Sequence, residues 1–395
     1  MAIFRNISGL VLLLILTSNM YAQKELHFDE SGFQSVMQRA KAAHKPVFYM
    51  IYASWCSHCN NMKQTVFKDS TVANYFSKNF VCAWQDLEKG EGKMFRDKYH
   101  VNAYPTFIFF DENENVLYNI NGEFKAADLI AEAKIAMTPE KQIPYLQKQF
   151  YDDPSNSDKC LAFLVTMKKG YERYVLNPHA QHYFETQSDA QLVSANNWRI
   201  IANGVSDIQS RPFQFVLKHQ EEFAKVSSAK RVQKKIVNIV TELLEPYVAA
   251  TDTINYFKKR AVAESIHLQK TDSVIFRYDM QIAERAKNWT AYKKITIPSV
   301  EKYVWNDSKA LIEIAKNYAL HIADLSSMKY AILWTQHALE HNDTYDGEIV
   351  LAKLYQKNKD LKSAAAFAQK AKDKNAALGF NTKEADELLA NLGVK

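Results

Sequence analysis

Residues 46–60 read PVFYMIYASWCSHCN, and this stretch decides the character of the first third of the chain. Pro46 to Tyr52 is a short, unbroken apolar run, the pattern of a strand buried on both faces. Directly after it, Trp55-Cys56-Ser57-His58-Cys59 sets two cysteines one helical turn apart, and helical spacing continues to about Val66. On such a helix both thiols face the same side. Cys56 then stands at a helix N-terminus, where free N–H groups and the helix dipole favour a thiolate. His58, between the two, supplies a positive charge or a hydrogen-bond donor that acts in the same direction. A Cys-x-x-Cys pair suits either dithiol exchange or zinc.

Outward from this pair the sequence alternates between apolar runs and amphipathic segments, the rhythm of an α/β unit. Strands are expected at Phe80 to Asp86, at Thr106 to Phe110 and at Val116 to Ile120, the last two forming a hairpin through Asp111 to Asn115. Helices are expected at Ser31 to Ala43, Ser70 to Ser77 and Ala126 to Ala136. Zinc would need a second ligand pair, and Cys82 and Cys160 are isolated from each other and lie in apolar segments, where they read as buried free thiols. The strand-turn-helix context therefore selects redox chemistry, with Cys56 as nucleophile and Cys59 as the resolving thiol.

The region from Leu26 to Met137 resembles the thioredoxin superfamily, in its exported bacterial branch. The resemblance rests on the strand followed by Trp-Cys-x-x-Cys and a helix, on Tyr104-Pro105-Thr106 about fifty residues later, on NNMKQTVF from Asn60 to Phe67, and on Tyr99-His100-Val101. It implies a thiol-disulfide oxidoreductase acting on protein or peptide substrates. Catalytic Cys56 and Cys59 would be supported by Trp55, Ser57 and His58, and a cis Pro105 with the backbone of Tyr104 would receive the substrate. The redox-active disulfide is then the only cofactor required. Two departures stand out. Met50 replaces the buried Asp that many relatives carry six residues before the first cysteine, which leaves Asp86, Glu88 or water as candidate proton acceptors. The Ser-His dipeptide also differs from the Gly-Pro of thioredoxin, and its His is similar to that in the Pro-His of the periplasmic disulfide-introducing enzymes, which leaves the direction of electron flow open. The branch is mostly reductive, which inclines the reading to a reductase.

After Thr138-Pro139 the pattern becomes wholly helical, giving a thioredoxin-like α/β domain over residues 23–138 and an all-α domain over 139–395. Ala331, Thr335 and Ala338 recur as Ala364, Ala368 and Ala371, while Tyr318 corresponds to Tyr355 and Asp324-Leu325 to Asp360-Leu361. Residues 308–376 thus resemble degenerate tetratricopeptide repeats, whose small residues let paired helices approach closely and whose stacks bind partners. The alternative reading of the whole is accordingly a helical-repeat interaction protein with a redox-sensing or docking domain. His337 and His341, like His179 and His182, lack an adjacent Glu in the His-Glu-x-x-His order and read as solvated, so no metal site is expected.

Composition agrees with a helix-rich globular chain. Only 10 Gly and 9 Pro occur among 395 residues, and 4 Cys are too few for a disulfide scaffold. The net charge of +6 lies almost wholly in the helical part, where basic residues are mixed with acidic ones, so nucleic acid is not an expected partner. Residues 1–22, with Arg5 before the apolar run from Gly9 to Thr17, read as a cleaved signal peptide. The expectation is an exported, periplasmic, soluble protein that meets protein thiols, a membrane or soluble electron-transfer partner, and a protein partner on its helical part.

Overall fold

The computed structural model describes residues 25–393, so the expected signal peptide at 1–22 lies outside the described residues. The chain forms two compact units, one ending at Val205 and one beginning at Ser206.

The first unit is built on four strands, β1 (Val47–Tyr52), β2 (Val81–Asp86), β3 (Thr106–Phe110) and β4 (Val116–Asn121), in the spatial order β2-β1-β3-β4. The central β1 runs parallel to β2 and antiparallel to β3, with Met50 opposite Trp84 on one side and Phe107 on the other. Both faces of β1 are covered, which is why its sequence reads as a continuous apolar run. Phe48 and Met50 point into a core shared with Phe76, Phe107, Phe109 and Leu129. Val47, Tyr49 and Ile51 point into the opposite core, with Phe33, Val36, Phe95 and Phe110.

Five helices supply these layers: α1 (Phe33–Ala43), α2 (Ser57–Gln64), α3 (Ser70–Asn79), α4 (Gly92–Tyr99) and α5 (Ala126–Ala136). Local chemistry sets their ends. Asp69 caps α3 by accepting from the Thr71 and Val72 amides, at 2.7 and 3.2 Å. In the hairpin, Asp111 accepts from the amides of Asn113 and Asn115, both at 2.8 Å. Helix α4 is the element that sequence reading does not anticipate. It is 8 residues long and buries only Gly92, Phe95 and Tyr99, too few for a periodic signal. Its first residue must be glycine, because a Cβ there would lie 2.0 Å from the Leu87 carbonyl oxygen.

The change of pattern at Thr138 marks the end of the sheet layer, and the compact unit that contains this layer runs on to Val205. Helices α6 (Ile143–Asp152), α7 (Ser157–Met167), α8 (Arg173–Glu185), α9 (Asp189–Leu192) and α10 (Ala195–Gly204) follow. The turn after α7 covers the free edge of β4. The Asn121 amide donates to the Lys169 carbonyl at 2.9 Å, and the fully buried Asn119 donates from Nδ2 to the Gly170 carbonyl at 3.4 Å. Lys169 Nζ meets both carboxylate oxygens of Glu132 at 3.0 and 2.9 Å, and Glu132 also accepts from the Tyr118 hydroxyl at 2.6 Å. An edge strand left open would offer its backbone to other chains, and this turn closes it.

The second unit is all helical: α11 (Arg211–Lys218), α12 (Gln220–Val226), α13 (Ala229–Ala249), α14 (Thr253–Glu264), α15 (Gln269–Arg285), α16 (Trp289–Thr296), α17 (Val300–Tyr303), α18 (Ser308–His321), α19 (Met328–His341), α20 (Tyr345–Lys357), α21 (Leu361–Ala377) and α22 (Lys383–Asn391). The recurring small residues sit where α18 meets α19 and α20 meets α21. Ala331, Thr335, Ala338, Ala364, Ala368 and Ala371 are all fully buried. Tyr318 packs edge-on against Trp334, with ring centroids 5.4 Å apart. None of the described helices is long and apolar enough to cross a membrane.

Candidate functional site

Strand β1 delivers the chain to Cys56, which caps α2 through its side chain. The Cys59 amide donates to Cys56 Sγ at 3.2 Å, so one of the first orphan donors of the helix points at this sulfur. Cys56 and Cys59 are joined as a disulfide, with Cα atoms 5.3 Å apart. Cys56 is 5% exposed and Cys59 is fully buried, so an incoming group meets Cys56 first. The Tyr104–Pro105 peptide bond is cis. Pro105 is buried, Tyr104 is half-buried, and the Tyr104 ring lies edge-on to Trp55 at 5.7 Å. Trp55 is 66% exposed and is held by its indole N–H, which donates to Glu88 at 2.8 Å. Disulfide, indole and proline loop thus meet on one surface at the carboxyl end of β1.

This segment matches the sequence profile of the family described as "Thioredoxin-like domain", over residues 33–135. Residues 33–135 form a thioredoxin-like domain. Protein disulfide-isomerase A5 of Mus musculus is 27% identical over 124 residues, which make up 31% of this chain and 23% of that protein. The same protein of Bos taurus is 26% identical over an equal span. The chain therefore spans about a quarter of the length of these curated relatives. Among solved structures, a candidate disulphide-isomerase from Bacteroides thetaiotaomicron is 36% identical, covering 29% of this chain and 95% of that one with a TM-score of 0.28. A DsbH oxidoreductase is 17% identical, covering 31% and 91% with a TM-score of 0.27.

Within the thioredoxin-like domain, His58 is engaged by Glu123. Its Nδ1 lies 2.5 Å from Oε2 of Glu123, and Asn61 Nδ2 donates to the other oxygen of that carboxylate. These bonds hold the Glu123 carboxyl below the usual range. Glu123 is fixed by its neighbours: the Gly122 amide donates to the Pro105 carbonyl at 2.9 Å, and the Phe124 amide to Met62 Sδ at 3.3 Å. Sequence reading missed Glu123 and Asn61, since the acid is 65 positions from His58. Ser57 is the exposed first residue of α2.

Of the candidate proton acceptors, Glu88 is engaged by Trp55, and Asp86 is a buried carboxylate at the end of β2, 3.6 Å from Lys89 Nζ. Met50 is fully buried in the same core as Cys59 and carries no proton acceptor. Lys63, one turn beyond Cys59, lays its ammonium over the Tyr52 ring at 3.0 Å and near the Trp84 ring at 4.3 Å. Burial pulls its pKa down to about 8, against the opposing influence of Asp86 and Glu30.

Cys82 and Cys160 are free and buried. Burial pushes the Cys82 thiol up to about 12 and raises that of Cys160 as well. The histidines expected in solvent are in part packed instead, because aromatic rings lie beside them. His182 stacks on Tyr151 at 5.1 Å, and His179 accepts from or donates to the Tyr151 hydroxyl at 2.7 Å. His337 stacks on Trp305 at 3.8 Å, and donor atoms of His337, Glu340 and His341 lie within 4.8 Å of one another. The signal for this trio was present as His-x-x-Glu-His, the reverse of the order sought in the sequence.

Proposed function

We propose that the thioredoxin-like domain is a thiol-disulfide oxidoreductase working on exported protein or peptide cysteines, with electron flow toward the substrate. The observation that carries this is the Cys56–Cys59 disulfide, capped on α2 by the Cys59 amide and set beside Trp55 and the cis Tyr104–Pro105 bond. In the reduced form the Cys56 thiolate attacks a substrate disulfide, forming a mixed disulfide and releasing one substrate thiolate, which takes a proton. Cys59 then loses its proton and attacks Cys56 Sγ, which closes the Cys56–Cys59 bond and releases the second substrate thiol. Two electrons pass to the substrate, and a donor dithiol must restore the pair. The Tyr104 backbone and the exposed Trp55 face flank the approach to Cys56. Support for the reductive direction comes from Glu123, whose carboxylate is held ionised against the first turn of α2 by His58 and Asn61 and so disfavours a further negative charge at Cys56. The second unit would position partners, as the stacked helices α18 to α21 present a repeat-like surface.

The test is to express the full chain with Cys59→Ser and isolate proteins disulfide-linked to Cys56, while assaying reduction of a disulfide substrate by the unchanged protein. Adducts lost on Cys56→Ser, with turnover by the parent, are expected. Neither adduct nor turnover would refute the reading.

A further inference from the structure

The last turn of α19 carries a group of ligating side chains that dithiol chemistry does not use. His337, Glu340 and His341 stand at i, i+3 and i+4 and so share one side of the helix. Each offers one donor atom, and the three donors lie within 4.8 Å of one another; among the described residues this is the one group of three such side chains drawn so close.

The surroundings of each side chain suit a cation. His337 is not a free rotor: its ring lies flat on Trp305, centroids 3.8 Å apart and planes within 12°, and its side chain is 17% exposed. His341 Nδ1 lies 3.0 Å from the His337 carbonyl oxygen. A carbonyl only accepts, so Nδ1 carries the proton and Nε2 keeps the lone pair. Metal-ligating histidines have this arrangement, with one ring nitrogen donating to a backbone carbonyl and the other left to bind the ion. Glu340 Oε2 is 3.7 Å from His337 Nδ1, too far for a hydrogen bond but close to the spacing of two donors each about 2 Å from a common ion. Glu340 is 72% exposed along its side chain, so an ion reaches the trio without opening the fold. His337 and Glu340 also border an open pocket of about 460 Å³ with Trp305, Gln336, Phe367 and Lys370. The positive charge of Lys370 on that wall is engaged by Glu348.

We infer that His337, Glu340 and His341 form a binding site for a zinc-class divalent cation. Two imidazoles and one carboxylate are a borderline donor set that suits zinc and its late first-row neighbours and supplies too few oxygens for calcium or magnesium. Three protein ligands leave a fourth position for water or an oxygen ligand on the pocket side.

The experiment is calorimetric titration of the full chain with zinc chloride, in a Cys56→Ser, Cys59→Ser background so that thiolates take up none of the ion. One equivalent is expected to bind, magnesium chloride is expected not to compete, and His341→Gln and Glu340→Gln are each expected to weaken binding by about 10- to 100-fold. Both substituted side chains are exposed, and circular dichroism of each variant verifies that the helices persist. As a second readout, copper(II) should quench a component of the indole fluorescence that is missing from Trp305→Phe. Absence of zinc uptake, or uptake unchanged in both His341→Gln and His337→Gln, overturns the inference.

Discussion

Gly170→Ala tests whether the helices after Thr138 are structurally part of the first unit. Gly170 is buried in the turn that covers β4, and a Cβ on it would lie 2.3 Å from Asn119 Cγ, 2.4 Å from its Oδ1 and 2.5 Å from its backbone carbonyl carbon. The backbone at Gly170 is outside the positive-φ region, so an alanine meets no conformational penalty and the whole effect is steric. Asn119 cannot yield, since it lies within β4 and is paired with Ile108 of β3. The turn must therefore lift by roughly 1 Å, which strains the Asn121–Lys169 and Asn119–Gly170 hydrogen bonds. Overpacking costs about 1–3 kcal/mol and each of the two weakened bonds about 0.5–1.5 kcal/mol, so a loss of about 2–6 kcal/mol is expected. For a unit of this size, that lowers the melting temperature by roughly 4–24 °C. Urea denaturation followed by tryptophan fluorescence and by circular dichroism measures it. A loss below about 0.5 kcal/mol would refute the reasoning, because the turn would then be free to leave β4 at no cost.

Three further outcomes are expected. Glu123→Gln removes the negative charge held against the first turn of α2 by His58 and Asn61, so the Cys56–Cys59 couple becomes more oxidising; equilibration against glutathione measures this, and an unchanged or lower potential counts against it. After gentle reduction, an aromatic disulfide reagent at pH 8 should release two equivalents of aromatic thiolate quickly, one as Cys56 attacks and one as Cys59 resolves the mixed disulfide, and reach Cys82 and Cys160 only on unfolding, since burial raises both of their pKa values; four fast equivalents would contradict the burial. Lys63 has a folded-state pKa of about 8, below its ordinary 10.5, so between these values the unfolded chain binds the extra proton and this residue's contribution to stability rises with pH. Lys63→Met should therefore exceed the parent in stability at pH 7, by no more than about 1 kcal/mol after solvent screening, and the gap should close toward pH 10.5. A gap in the urea midpoints that is constant with pH would exclude this account.

Much of the first unit is legible from local signals. A strand covered on both faces leaves an unbroken apolar run, as in Val47–Tyr52, and a cysteine pair at a strand-to-helix turn fixes its own geometry. What escapes is long-range. Glu123 meets His58 only because the segment after β4 folds back onto α2, and nothing near either residue announces the pairing. The cover over β4 depends on a carbonyl at Lys169 and an absent side chain at Gly170, neither of which has a sequence signature. Helix α4 is too short for its periodicity to rise above its charged residues. In the second unit, buried alanines mark the helix contacts well, whereas the stacking of His337 on Trp305 brings together residues from separate elements.

The unequal burial of the two sulfurs has a consequence for how the protein withstands peroxide. A small oxidant reaches Cys56, which is 5% exposed, and not Cys59, which is fully enclosed. Oxygen transferred to the Cys56 thiolate gives a sulfenic acid, and Cys59, already within bonding reach, condenses with it and expels water before a second oxygen can arrive. The enclosed thiol is thereby a built-in limit to damage: the pair halts at the disulfide, the rung from which a donor thiol can return it to service.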